Sequence, residues 1–209
     1  MFASSITPEE IAALQLASFP GEIVVIDAEG EAFDKAVAYL KKQKVLGFDT
    51  ETRPTFTPEQ HSNGTALLQL SGSGKAFLFR LQKCGLPRPL ASILANPAIL
   101  KVGAATLDDV RGLQKIAKFA AKGFVDLQNQ VWEWGIRDKS VKKMTAIILG
   151  VKISKAQQLS NWEAEKLSES QQKYAATDAW ACIQLYREMM RMQEEGYSLV
   201  KSEELRVKS

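Results

Sequence analysis

The run Val45-Leu46-Gly47-Phe48 is apolar without a break and leads straight into Asp49-Thr50-Glu51. Such a run reads as a buried strand, and a buried strand commits the chain to a sheet with other layers packed over it. The surroundings agree. Residues 21–28 (GEIVVIDA) look like a strand, and Phe33, Ala36, Val37 and Leu40 recur at helical spacing before Lys41, Lys42 and Lys44, so the domain begins as β–α–β. ALLQLS and KAFLFRL then flank Gly72-Ser73-Gly74, a hairpin that continues the sheet in an antiparallel sense. A short helix (LASILAN), a strand (ILKVGAA), a helix (DDVRGLQKIAKFA), a strand-like GFVDLQ and a mainly helical last third follow. The pattern predicts one α/β domain over residues 21–195, a mixed sheet flanked by helices, antiparallel early and parallel later. Thr7-Pro8-Glu9-Glu10 reads as a capping box with proline at the first helical position, making residues 1–20 an N-terminal helical segment. Residues 196–209 are read as a tail.

The 209 residues contain one histidine, His61. H-E-x-x-H zinc proteases and most histidine-based triads therefore lack their ligands or bases, which leaves carboxylates to carry chemistry. Cys84 and Cys182 lie far apart outside any C-x-x-C pattern, which fits two buried structural thiols in a reducing cytoplasm. The N-terminal residues carry Glu9 and Glu10 without a basic leader, and no segment approaches the roughly 20 apolar residues of a membrane helix, so a cytoplasmic protein off the membrane is expected. A net charge of +3 identifies no partner, but residues 101–160 hold 11 Lys/Arg against 5 Asp/Glu. A polyanion-binding side and an ordinary solvated face both explain that surplus. Gly72-Ser73-Gly74-Lys75 resembles the end of a phosphate-binding loop, yet the motif's first glycine would fall at Gln69 and its hydroxyl residue at Ala76, so a hairpin turn is the better reading.

Three acidic sites stand out. Asp49 and Glu51 are two apart on a strand, so they project from one face as paired carboxylates, an arrangement that a divalent cation would stabilise and that a polar strand end would also show. In LKVGAATLDDVRGL a strand delivers the chain to a helix start where Asp108 and Asp109 lie, and Thr106-Leu107-Asp108-Asp109 also fits a simple capping box. Near the C-terminal end, Ser168 and Gln171 fit a capping box opening a helix in which Tyr174 and Asp178, four apart, share a face.

Taken together, LGFDTET, LKVGAATLDDVRGL and LSNWEAEKLSESQQKYAATDAWACIQLY resemble, in identity, order and spacing, the DEDD superfamily of 3′–5′ exonucleases, tyrosine subclass (DEDDy). The resemblance covers about residues 45–190 and implies a ribonuclease H-like fold. It places four metal-binding acids at Asp49, Glu51, Asp109 and Asp178, with Tyr174 as the water-orienting tyrosine. Ser160-Asn161-Trp162 and the Tyr174–Ala179 stretch look more like the Werner-type exonuclease domain than ribonuclease D, which tilts the expected substrate toward DNA, with RNA possible.

The implied mechanism is two-metal phosphodiester hydrolysis at a free 3′ end, with two Mg²⁺ or Mn²⁺ ions about 3.5–4 Å apart. Asp49 would bridge both ions, Glu51 and Asp178 complete the first, and Asp109 hold the second through water. Arg53, Phe56, Lys155, Asn161 and Trp162 are the candidates for substrate contact, with core packing an equal alternative for Trp162. Two competing functions remain at this point: a non-catalytic nucleic-acid-binding module on the same fold, and a ribonuclease D-like enzyme that processes RNA 3′ ends.

Overall fold

A computed structural model describes residues 2–55 and 64–197. The apolar run at Val45 becomes the strand that organises them. In chain order the elements are α1 (Pro8–Ala13), β1 (Gln15–Leu16), β2 (Glu22–Ile26), α2 (Glu31–Leu40), β3 (Val45–Thr52), β4 (Thr65–Ser71), β5 (Lys75–Arg80), α3 (Leu81–Cys84), α4 (Arg88–Leu94), β6 (Leu100–Gly103), α5 (Thr106–Ile116), β7 (Phe124–Asp126), α6 (Leu127–Glu133), α7 (Val141–Leu149), β8 (Val151–Lys152) and α8 (Glu169–Glu194). Among the described residues six strands form one sheet in the order β2-β5-β4-β3-β6-β7. β3 is interior, antiparallel to β4 and parallel to β6.

Alternation along β3 divides the molecule into layers. Leu46 and Phe48 face a core shared with Leu68, Leu70, Phe77 and Phe79, closed by Phe33, Val37 and Leu40 of α2 and Leu90 and Leu94 of α4. Gly47, Asp49 and Glu51 face the other way, toward α8. A Cβ built on Gly47 would lie 1.8 Å from the Ala179 carbonyl oxygen, so the α8 backbone rests directly on β3. Small or apolar residues line the helix where it touches: Ala175, Ala176, Ala179, Cys182 and Ile183 are all at most 1% exposed. Beyond them, Leu185 and Met189 join Met144 and Ile148 of α7 in a second core.

Several expectations need correction. The expected β–α–β opening is present as β2–α2–β3, but its strands are not neighbours: β2 pairs in parallel with β5, and β5 and β4 stand between it and β3. The hairpin at Gly72-Ser73-Gly74 takes the antiparallel slot beside β3, so the remaining place for a parallel strand on that side is outside β5. The sheet is therefore antiparallel in its middle and parallel on both flanks. The helix after β6 is not capped by Thr106, which is its buried first residue. Ala105 is the cap in a left-handed conformation (φ 57°), and the Asp126 carboxylate accepts from the Ala105 and Thr106 amides at 3.1 and 3.2 Å. α5 also stops at Ile116, because Ala117 is extended. Of the two free cysteines, Cys182 is buried and Cys84 only half-buried.

The N-terminal residues are stitched to the body. α1 carries the expected capping box, β1 pairs with β8 in a parallel two-residue ladder, and the Phe19 amide donates to Thr177 Oγ1 of α8 at 3.0 Å. Among the described residues no helix is long and apolar enough to cross a membrane.

Candidate active site

β3 delivers Asp49 and Glu51 to the α8 face, and α8, opened by the Ser168–Gln171 capping box, delivers Asp178 from above. One carboxylate oxygen from each of the three lies within 4.8 Å of the others. A register shift between Glu51 and Thr52, with Ala66 the extra residue on β4, marks the end of regular pairing at the acids. Burial, then the Asp178 and Asp109 charges, push Asp49 well above the usual carboxylate range. Burial and the Asp49 charge push Glu51 up to about 9. Burial also raises Asp178, against the opposing pull of Lys155. Three carboxylates so placed resist ionising together, and a divalent cation among them reverses that penalty. Asp178 Oδ2 accepts from Lys155 Nζ at 2.8 Å, while its Oδ1 is buried with no partner. That orphaned oxygen, beside two further hard oxygen donors, fits a divalent metal of the Mg²⁺ or Mn²⁺ kind.

Asp109 stands apart from the cluster of three. It lies in the first turn of α5, and its Oδ1 accepts from Thr50 Oγ1 at 2.6 Å. Burial pushes its carboxyl up to about 6 in spite of that hydrogen bond. Thr50 points away from the Asp49 face, so Asp109 approaches the end of β3 from the α5 side. Asp108, its neighbour, is solvent-exposed and pairs with Arg111 at 3.1 Å. Beside Asp109 opens a groove of 850 Å³, lined in part by Thr50, Thr52, Thr65, Arg111 and Lys115.

Tyr174 is buried one turn before Asp178, with its ring 5.9 Å from that of Trp162. Burial and the Asp178 charge hold its phenol above its usual range, so it remains an O–H. Lys155, in the loop after β8, has its ammonium 3.3 Å from that hydroxyl as well as on Asp178. It is a counter-ion to Asp178 beside the acidic cluster.

The other expected substrate contacts are placed differently from one another. Arg53, at the end of β3, is half-exposed and 3.4 Å from Glu163. Asn161 is a loop-shaping residue: its side-chain oxygen accepts from the Glu163 amide and its carbonyl from Gln171 Nε2. Trp162 is 1% exposed, which closes its ring to a stacked base. Its indole fills the space under Tyr174 among Ala66, Leu67 and Leu78, so the packing alternative describes it. Phe56 lies outside the described residues. Motif reading missed Thr50, the anchor of Asp109; Asp126, the remote cap of α5; and Gln69, the cross-strand neighbour of Asp49. A glutamine amid the apolar run of β4 was the one local signal among these.

Comparison with known proteins gives a family. The family described as 3′-5′ exonuclease matches residues 24–194. Exonuclease 3′-5′ domain-containing protein 2 of Mus musculus is 32% identical over 185 residues, covering 81% of this chain and 28% of the relative. The bifunctional 3′-5′ exonuclease/ATP-dependent helicase WRN of Mus musculus is 29% identical over 207 residues, covering 91% of this chain and 14% of its own length. The chain thus spans less than a third of either relative. The EXO domain of Nibbler from Aedes aegypti superposes with a TM-score of 0.74 over 91% of this chain and 98% of that one, at 22% identity, a likeness of fold. Because the matched span runs from within β2 to the end of α8 and so includes every element that meets at the acids, the chain belongs to the 3′-5′ exonuclease domain family of the DEDD superfamily.

Proposed function

We propose that this chain is a metal-dependent 3′–5′ exonuclease that removes nucleoside 5′-monophosphates from the 3′ end of nucleic acid, DNA in preference to RNA, in the cytoplasm. The observation that carries the reading is the meeting of Asp49, Glu51 and Asp178 within 4.8 Å, with Asp178 Oδ1 buried and unpartnered. Asp49, Glu51 and Asp178 would hold one ion, and Asp49 with Asp109 a second. Bound there, the Mg²⁺ or Mn²⁺ pair supplies a hydroxide nucleophile and stabilises the leaving 3′ oxygen.

The chain's own groups do the rest. Tyr174 keeps its proton and offers a fixed hydroxyl to orient the attacking water. Lys155 neutralises part of the charge on Asp178 and holds Tyr174 and Asp178 in one geometry. Thr50 holds Asp109 in place. Arg53, with Arg111 and Lys115 in the neighbouring groove, offers positive charge to the phosphates of the strand. The preference for DNA rests on the Ser160-Asn161-Trp162 and Tyr174–Ala179 motifs.

Matched 3′-labelled and 5′-labelled DNA and RNA oligonucleotides, incubated with Mg²⁺, Mn²⁺ or chelator, test the reading. Mononucleotides should appear from the 3′ end only with metal, faster from DNA, and Asp49→Ala should abolish them. Faster release from RNA would transfer the activity to RNA 3′-end processing. Binding without hydrolysis in any metal would leave a non-catalytic module, and cleavage of circular strands at the linear rate would make it an endonuclease.

A further inference from the structure

Gln69 lies in the middle of β4 with none of its surface exposed, and neither its amide oxygen nor its amide nitrogen has a hydrogen-bond partner. An amide taken out of water without partners opposes folding, whereas an apolar side chain of the same length would fill that space at no such cost. Its position says what it serves. In the β3–β4 ladder Gln69 is directly opposite Asp49, between the pairs Gly47–Ser71 and Glu51–Leu67. Directly opposed residues of an antiparallel pair point to the same face, with Cβ atoms about 4.5–5.5 Å apart. Gln69 therefore shares the face on which the acids lie and against which α8 packs, the face where Leu67 meets Tyr174 and Ala175. On its other side the ladder partner is Leu78, which offers no hydrogen bond.

We infer that Gln69 is a positioning residue for Asp49. Unpaired as the chain stands, its NH₂ group would donate to one oxygen of the Asp49 carboxylate once a cation draws that carboxylate into place, leaving the other oxygen free to ligate. The inference rests on the metal-dependent reading above and adds to it a residue outside the four acids and the tyrosine. A neutral donor suits this place. Ligating carboxylates work best when a second group fixes their orientation, and an amide does so without adding a positive charge that would oppose the cation, as the Lys155 ammonium does on Asp178.

The test is Mn²⁺ affinity, measured by calorimetry or by the electron paramagnetic resonance of free Mn²⁺, on wild type and Gln69→Met, with melting temperatures taken in chelator and in Mn²⁺. Gln69→Met keeps the length and removes only the amide. In chelator it should melt at or above wild type, because two unpaired polar atoms leave the core, while Mn²⁺ affinity should fall at least tenfold. Equal Mn²⁺ affinity in the two proteins overturns the inference whatever their melting temperatures. Gln69→Leu is the second apolar variant; failure of both to fold in chelator also overturns it, since the amide would then serve the fold itself. Wild type that binds no Mn²⁺ is a separate result, which would remove the two-metal reading and this inference with it.

Discussion

Tyr174 and Lys101 are both buried polar side chains, and they lead to opposite kinds of test. The Tyr174 hydroxyl sits within reach of Lys155 and one turn from Asp178. Tyr174→Phe keeps the ring on Trp162 and removes only the hydroxyl. If that group orients the attacking water, single-turnover hydrolysis at saturating Mg²⁺ should slow by roughly 10²-fold or more, with kcat and kcat/KM falling together. Equal rates would reduce Tyr174 to packing. Lys101 is buried, with Nζ donating to the Asn96 and Ile99 carbonyls at 2.7 Å and standing 5.2 Å over the Phe124 ring. Burial lowers its ammonium from 10.5 to about 8. Below pH 8 both folded and unfolded chains hold the proton, so the cost of burying the charge is fully present. Between pH 8 and 10.5 the folded chain releases the proton while the unfolded chain keeps it, so stability from this residue rises with pH. Wild type should therefore gain in melting temperature relative to Lys101→Met across that window, read by scanning calorimetry at pH 7.5, 9 and 10.5; a constant difference would show that the amine titrates normally.

α8 and β3 form the pair of elements on which the candidate site depends, and their contact leaves no room for a side chain at position 47. The atom that a Cβ there would strike is a backbone carbonyl, which cannot rotate aside. Gly47→Ala should cost about 3 kcal/mol or more, at the upper end of overpacking, by urea unfolding. It should also weaken Mn²⁺ binding, because Asp178 immediately precedes the residue that is pushed; wild-type affinity in a destabilised variant would uncouple helix seating from the site. These elements were legible because each announces itself locally, β3 by an apolar run, the hairpin by its glycines, α8 by a capping box and an alanine-rich face. What escaped depends on partners distant in sequence. The β1–β8 ladder is two residues long and has no periodicity to detect. Asp126 caps a helix that starts 20 residues earlier, so the local Thr106–Asp109 pattern was the misleading cue. Position beside the acids, rather than residue type, makes Lys155 a counter-ion, and burial takes Trp162 out of reach of a base.

For the molecule as a whole, the clustered acids repel one another, a penalty that a bound cation would relieve. Asp109, raised to about 6, and Glu51, raised to about 9, keep their protons in the folded chain after the unfolded chain has lost them. The stability that these two carboxyls contribute in chelator should therefore fall as pH climbs from about 4 to 9. A divalent ion that takes the place of those protons should raise the melting temperature, more at pH 8 than at pH 6, by an amount equivalent to about 2.7 kcal/mol when the ion is at 100 times its dissociation constant. Calorimetric scans at the two pH values with chelator or Mg²⁺ decide it, and a metal effect independent of pH would dissociate the ion from these carboxylates. The order in which the chain supplies the acids has a further consequence. β3 contributes the first two early, whereas Asp178 arrives on α8, after every strand of the sheet. Synthesis proceeds from the N-terminus, so a half-made chain on a ribosome holds Asp49 and Glu51 without their third partner. Such a nascent chain would hold an incomplete acidic cluster, and the site would be assembled only once α8 had been translated and seated.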